Sequence, residues 1–213
     1  MSKYKLIIWD IDGTLLDTHQ GVSNALLYAL EQFNIKKNHQ DIQTMVHTPK
    51  IKDAFIKIAN MDEDTAKQAT DIFRNYYVEK SLLQALPYHG ILEVLQICAQ
   101  KGIKQAIATN KRQDCANKIC SHFGIDKFCN PIYGGDRYNT LSKSDLIKKC
   151  LDFYSIRDLS SAVMVGDTDS DRNSAQDVGI NFIGVNYGFG FKNITSYSSS
   201  SKEILCKLGI NND

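Results

Sequence analysis

Residues 5–18 read Lys5-Leu6-Ile7-Ile8-Trp9-Asp10-Ile11-Asp12-Gly13-Thr14-Leu15-Leu16-Asp17-Thr18, and this stretch decides the fold. Lys5 to Trp9 is a short apolar run rich in β-branched and aromatic residues. It has no polar alternation, so it predicts a strand buried on both faces, as in a parallel sheet. Asp10 and Asp12 fall where such a strand ends, and Gly13-Thr14 supplies a turn. In open α/β sheets ligands bind at the carboxyl ends of the strands, so these acids stand where chemistry is expected. Side chains two apart on an extended backbone point the same way, and both carboxylates can face one pocket. The pair suits a nucleophile beside a general acid/base, provided a metal offsets their repulsion. The plainer alternative is a polar turn that merely ends a strand, since turns favour Asp and Gly.

Going outward, Val22, Leu26, Leu30 and Phe33 recur at helical spacing and predict a helix of about 16 residues. Asn34 to Lys50 is polar and reads as a loop ending in His47-Thr48-Pro49-Lys50, with a helix starting near Pro49. Ile51, Ala54, Phe55 and Ile58 form that helix's stripe. Asp62-Glu63-Asp64 opens another helix, where the backbone dipole favours negative charge. Its stripe is Ala66, Ala69, Ile72 or Phe73, and Tyr76. Residues 17–83 are therefore expected to be helical throughout.

Pro87-Tyr88-His89-Gly90 breaks this pattern. Beyond it, short apolar strands alternate with helices: Ile103–Thr109, Pro131–Gly135, Ala162–Val165 and Ile180–Val185, with Lys143 opening the helix before the fourth strand. Ser200 to Leu208 closes the chain as a helix in which Ser200 and Glu203 have capping-box spacing. The alternation implies an α/β, Rossmann-like parallel sheet with right-handed crossovers. The helical stretch is too long for a loop and reads as an insertion. The expected division is residues 1–16 and 84–213 as an α/β catalytic core, with 17–83 as an all-helical cap.

Composition is that of an ordinary globular protein. The chain has 213 residues, 43% apolar and 23% charged; that length suits one domain or a core with an insertion. Its 25 basic and 24 acidic residues give a formal net charge of +1. That balance offers no electrostatic attraction for nucleic acid or an anionic membrane. No apolar run nears the ~20 residues that span a bilayer. The first strand starts so close to Met1 that no signal peptide is expected. The six cysteines (98, 115, 120, 129, 150 and 206) form no C-x-x-C pair and read as small buried residues of a reduced, cytoplasmic protein.

Three strands end in polar groups. The first gives Asp10, Asp12 and Thr14, the second Thr109, Asn110 and Lys111, and the fourth Asp167, Asp169 and Asp171. Together with Lys143 they form a cluster of carboxylates with hydroxyl, amide and ammonium donors. Hard oxygen ligands in so small a number suit octahedral Mg²⁺, which keeps waters and a substrate phosphate in its shell. A hydroxyl, backbone amides and one lysine can hold the other phosphoryl oxygens. No Ser/His/Asp triad is legible, and none of the five histidines has ligand spacing to another.

Asp10-Ile11-Asp12-Gly13-Thr14-Leu15, Thr109-Asn110-Lys111, Lys143 and Gly166-Asp167-x-x-x-Asp171 resemble the four ordered motifs of the haloacid dehalogenase superfamily. The resemblance covers essentially the whole chain, with the insertion where that family carries a small helical cap. Thr109-Asn110-Lys111, Gly134-Gly135-Asp136 and Val185-Asn186-Tyr187-Gly188 are similar to its phosphoglycolate phosphatase-like group. The resemblance implies a Mg²⁺-dependent phosphomonoester hydrolase acting on a small cytosolic phosphometabolite. Asp10 would be the nucleophile that forms an aspartyl-phosphate; Asp12 would protonate the leaving alcohol and then activate water. Thr109, Asn110 and Lys143 would hold phosphoryl oxygens. Asp167 would bind the metal with Asp10 and the backbone carbonyl of Asp12, and Asp171 would orient Lys143 or a metal-bound water. An acid at position 12 argues against the dehalogenase branch, whose leaving halide needs no proton.

Two departures stand out. Ser144-Asp145 follows Lys143 where the family often has proline, which leaves Lys148 or Lys149 as a fallback. The stretch from Thr44 to Lys50 lacks the glycine that many relatives carry. Asp17, Asp169 and Lys111 have structural alternatives: a helix cap, a solvated loop and a surface charge. His47 and Lys50 are the candidate contacts to the substrate, with Arg74 and Tyr77 next. A phosphosugar mutase, a nucleotidase and a pyrophosphatase share the same core chemistry. A binding protein on this fold is the alternative of another class, although no core motif is lost. The expected assembly is a monomer or homodimer.

Overall fold

In the computed structural model, which describes residues 3–48, 50–136, 140–191 and 194–210, Leu6–Trp9 forms strand β1 with every side chain fully buried. A two-residue strand, β2 (Leu16–Asp17), follows. Then come helices α1 (His19–Glu31), α2 (His39–Val46), α3 (Ile51–Lys57) and α4 (Glu63–Tyr76), the last running into a π-helical turn over Tyr77–Ser81. After β3 (Leu86–Pro87), helix and strand alternate through α5 (Ile91–Gln100), β4 (Lys104–Arg112), α6 (Gln113–His122), β5 (Ile132–Gly135) and α7 (Lys143–Phe153). The chain continues with β6 (Ala162–Gly166), α8 (Asp169–Val178), β7 (Asn181–Gly184) and α9 (Ser201–Lys207).

Five strands form one parallel sheet in the order β5-β4-β1-β6-β7. The chain builds outward from β1 to β4 and β5, then crosses back to lay β6 against the other side of β1. The order therefore reverses at β1, the place where open α/β sheets bind ligands. Leu6, Ile8, Ala106, Ala108, Ala162 and Met164 pack on one face against Leu146, Ile147, Cys150 and Leu151 of α7 and Ala175 of α8. Next to them along each strand are the residues that point to the opposite face. There Trp9 Nε1 donates to Gln105 Oε1 (3.2 Å), and Gln105 Nε2 donates to the Leu95 carbonyl of α5 (2.8 Å). A buried amide is thus satisfied at both ends.

The chain divides into two compact units, Met1–Asp17 with Pro87–Asp213, and Thr18–Leu86. The second is built from α1–α4 and the π-helical turn. Its core includes Leu26, Leu30, Met45, Phe55, Ala66, Ala69 and Phe73. It runs to Leu86 rather than stopping at 83, because the end of the π-turn and a residue just beyond it are tied to α1. Ser81 Oγ donates to the Gly21 carbonyl (2.8 Å) and Gly21 N–H to the Gln84 carbonyl (3.1 Å).

The structure corrects several local expectations. The polar stretch 34–50 contains α2, capped by Asn38, whose side chain accepts from Asp41 N–H, and it buries Ile42 and Met45. Asn at the cap and two apolar residues three apart suffice for eight residues packed on neighbours. The stripe of α1 is Ala25, Leu26, Ala29 and Leu30, with Val22 and Phe33 only half-buried. In α4, Phe73 is the buried one of the two alternatives Ile72 and Phe73, and Tyr76 is only half-buried. Ser200 caps α9 by accepting from Glu203 N–H, but the Glu203 carboxylate turns to Ser199 instead of closing a box. Five of the six cysteines are buried and none is bridged; Cys206 is exposed. No helix among the described residues is long and apolar enough to cross a membrane.

Candidate active site

The register of the sheet sets Trp9 level with Ile107 on one side and Val165 on the other. Asp10, Thr109 and Asp167 consequently emerge together at the carboxyl edge of the three central strands. Asp10 N–H donates to the Val165 carbonyl (3.0 Å), which fixes its backbone. Its side chain is buried. Oδ2 lies 3.1 Å from Lys143 Nζ, while Oδ1 has no hydrogen-bond partner among the described residues. Burial raises this carboxyl to about 6; Lys143 opposes the rise, and the charges of Asp171 and Asp12 add to it.

Lys143 is the first residue of α7, and its side chain is 3% exposed. Ser142 and Asp145 close a capping box around it: Asp145 N–H donates to Ser142 Oγ, and Ser142 N–H to Asp145 Oδ2 (3.0 Å). The Ser144-Asp145 departure thereby finds its reason, since Asp145 starts the helix that carries the lysine. Lys143 makes ion pairs with both Asp10 and Asp171. Burial pushes its ammonium down, but the two carboxylates outweigh burial and the net shift is upward. Lys148 and Lys149 are exposed, so neither substitutes for it.

Asp171 is fully buried in the first turn of α8, with both oxygens engaged. Oδ2 accepts from Thr168 N–H (3.0 Å) and Thr168 Oγ1 (2.6 Å), and Oδ1 pairs with Lys143. Asp167 is equally buried. Its Oδ2 accepts from Phe189 N–H (2.6 Å) and its Oδ1 from Thr14 Oγ1 (3.2 Å). Burial, with Asp10 and Asp171 adding to it, lifts Asp167 to about 7. The sequence pattern had singled out neither Thr14 nor the Phe189 amide as a holder of Asp167; both contacts join segments over twenty residues apart. Gly13 is required here. Its φ is +74°, and a Cβ would lie 2.1 Å from Asp167 Oδ2.

Asp12 is partly exposed, and its Oδ1 lies 2.9 Å from Lys111 Nζ, whose side chain is only 5% exposed. Lys111 is thus a buried ion-pair partner rather than a surface charge. The second strand does not stop at Thr109; it continues to Arg112 with an irregularity between those residues. Thr109 is buried and its Oγ1 accepts from Lys111 N–H (3.2 Å), while Asn110 is exposed. Asp169 is exposed, opens α8 and pairs with Arg172 at 2.5 Å, and Thr18 rather than Asp17 holds the cap position of α1.

Asp10, Asp167 and Asp171 each offer a carboxylate oxygen within 4.8 Å of the others, a grouping that could hold a metal ion. The charge balance fits a divalent cation. Four carboxylates (Asp10, Asp12, Asp167 and Asp171) share two ammonium groups, Lys111 and Lys143. Buried anions in excess require a compensating charge, and the unpartnered Asp10 Oδ1 is an oxygen available to one. Asp171 enters mainly through Lys143, because its oxygens are already committed.

Asp10, Asp12, Thr109, Lys143, Asp167 and Asp171 are therefore assembled at one edge, with Asn110 at the same strand end. His47 and Lys50 belong to the second unit. His47 follows α2 with its ring edge-on to His19 at 6.1 Å, and Lys50 is exposed at the cap position of α3.

Comparison with known proteins gives a consistent result. The profile of the haloacid dehalogenase-like hydrolases matches residues 7–185. A 5'-nucleotidase of Pseudomonas aeruginosa is 30% identical over 191 residues, covering 88% of this chain and 85% of the relative. A phosphoglycolate phosphatase of Aquifex aeolicus is 25% identical over 82% of this chain and 81% of its own length. Among solved structures, a haloacid dehalogenase-like hydrolase from Streptococcus pneumoniae superposes with a TM-score of 0.86. It is 24% identical and covers 96% of this chain and 98% of its own, a likeness that speaks to the fold.

Proposed function

This chain belongs to the haloacid dehalogenase-like hydrolase family, and we propose that it is a Mg²⁺-dependent phosphomonoester hydrolase working through an aspartyl-phosphate on Asp10. Phosphatase activity is what the family and its relatives support. The observation that carries the mechanism is Asp10 itself: a buried carboxylate with one oxygen on Lys143 and the other without a hydrogen-bond partner.

In this reading one oxygen of the Asp10 carboxylate attacks phosphorus and the P–O bond to the leaving alcohol breaks. Asp12 gives its proton to the departing oxygen. It then takes a proton from water, which attacks the acyl-phosphate and returns Asp10 and inorganic phosphate. Lys143, fixed by Asp171, neutralises the phosphoryl oxygens. Thr109 accepts from Lys111 N–H, which leaves its own hydroxyl proton for a phosphoryl oxygen. Mg²⁺, held by Asp10, Asp167 and the backbone carbonyl of Asp12, would supply the positive charge that lets an anionic nucleophile meet an anionic ester. Asp171 serves that site through Lys143, and Asn110 lies where an amide contact to phosphate is available.

The substrate class proposed is a small phosphometabolite, phosphoglycolate-like in size. Nucleoside monophosphates are the second class, favoured by the 30% identity with a 5'-nucleotidase. Phosphate release from a panel of phosphometabolites, with Mg²⁺ and with EDTA, tests both. Activity that survives EDTA would exclude the metal.

Stability offers a second readout. Metal-free, Asp10 and Asp167 are raised to about 6 and about 7. A raised acid contributes stability below its ordinary pKa of about 4 and loses it as pH rises through the folded value. The metal-free Tm should therefore fall as pH climbs through that range. Mg²⁺ should restore Tm at about pH 8 and change it little at about pH 5. A Mg²⁺ shift of equal size at both pH values would count against a site built from these acids.

His47 and Lys50 are proposed to read a second anionic group on the substrate. Lys50→Ala should raise KM for an anionic metabolite by up to about 5-fold, the worth of one exposed charge contact, and leave nitrophenyl phosphate nearly unaffected. An equal response by both substrates, or none, would remove this stretch as the specificity element.

A further inference from the structure

Lys111 is the cation that the chemistry above leaves without a task, and its position is built with care. The ladder between β4 and β5 runs Ile107↔Ile132, Ala108↔Tyr133 and Thr109↔Gly134, then resumes only at Arg112↔Gly135. Asn110 and Lys111 are the extra residues of this bulge, which re-aims side chains at a strand end. Gln113, the first residue of α6, takes over part of the bonding: its Oε1 accepts from Gly134 N–H (2.7 Å), and its Nε2 donates to the Ile132 carbonyl (2.9 Å). Gly134 makes the close approach possible, since a Cβ there would lie 2.6 Å from the Lys111 carbonyl oxygen. Inside the bulge, Lys111 N–H donates to Thr109 Oγ1 (3.2 Å). The result is a side chain 5% exposed, with Nζ 2.9 Å from Asp12 Oδ1.

A lysine does not surrender its hydration and its rotamer freedom without a compensating partner. Its partner here is one oxygen of the acid that serves the leaving group. We propose that Lys111 is a positioning residue for Asp12: it pins the carboxylate by Oδ1, so that the second oxygen faces the leaving alcohol and, later, the attacking water. The proposal rests on the assignment of Asp12 as general acid/base and goes beyond it by naming what aims that acid. A proton donor displaced by about 1 Å can forfeit on the order of 100-fold in rate, so the aiming contact is worth testing directly.

The measurement is kcat/KM for two Mg²⁺-supported substrates, an alkyl phosphate and 4-nitrophenyl phosphate, because this ratio reports steps only through departure of the leaving group. Lys111→Met should lower the alkyl value by about 10- to 100-fold and the nitrophenyl value by less than about threefold, since nitrophenolate leaves without a proton. Lys111→Arg, which keeps the cation, should recover most of the alkyl activity. Lys111→Gln, with a neutral amide donor, should fall between them and serves in place of the Met variant if that one melts early. A lysine that bound the phosphoryl group would depress both substrates alike, and a merely structural lysine would do so or do nothing; either pattern overturns the proposal. Asp12→Asn run beside these variants separates the two failures. If it does not favour nitrophenyl over alkyl phosphate, the acid assignment falls and takes the Lys111 proposal with it. If it does and Lys111→Met does not, only the proposal falls.

Discussion

Asp10→Asn should leave a folded protein whose phosphatase activity is lower by at least about 10⁴-fold, the scale of removing a covalent nucleophile. The amide is nearly isosteric with the carboxylate but cannot attack phosphorus. The fold should survive for an electrostatic reason. Burial already pushes Asp10 up to about 6, so the structure bears its charge at a cost, and a neutral amide removes that cost. Lys143 still has Asp171. The metal-free variant should accordingly melt no lower than the parent at about pH 8. Wild-type protein in Mg²⁺ and beryllium fluoride should carry an acyl-phosphate mimic on Asp10, which the variant should lack. Mg²⁺-dependent turnover in Asp10→Asn, once deamidation and contaminating phosphatase are excluded, would end the covalent mechanism.

Lys143→Met should damage both stability and rate. It leaves Asp10 and Asp171 buried without their shared cation, a change that typically costs about 3–5 kcal/mol. For a chain of this size that is a fall in Tm of about 6–20 °C. The loss should shrink toward about pH 5, where raised acids take up protons and no longer need a counter-charge. Rate should drop by about 10²–10³-fold, as when one preorganised donor is removed from a transition state. Melting curves at two pH values, with turnover of the surviving folded fraction, check both halves. Full activity in a destabilised Lys143→Met would make this lysine a structural clamp and nothing more.

Much of this architecture was legible because it is local. Leu6 to Trp9 and Ala162 to Val165 are apolar runs without alternation, the first running into Asp10 and the second into Gly166-Asp167, the pattern of a parallel strand covered on both faces. The alternation after Ile91 could be read for the same reason. Less legible was what depends on partners distant in sequence. Asn34 to Lys50 is polar enough to pass for a loop, and α2 within it exists because Ile42 and Met45 find a core that no local window contains. The second strand seemed to stop at Thr109 because Asn110-Lys111-Arg112 is polar. It continues because Gly134 and Gln113 supply the space and hydrogen bonds from elsewhere. Lys111 could be taken for a surface charge because its counter-ion, Asp12, is ninety-nine positions away.

The central place of β1 also bears on how the protein is made. The strand leaves the ribosome well ahead of its two neighbours, since β4 and β6 begin about 100 and about 155 residues later. At ~5–20 residues per second, Leu6–Trp9 waits about 10–30 s for the second of them, an apolar segment with both edges open. The wait puts a premium on low nascent-chain concentration or chaperone cover during synthesis. Trp9, the one tryptophan of the chain and fully buried, sits in that strand. Its fluorescence is therefore a native clock for the moment when the sheet closes around the strand that leads into Asp10.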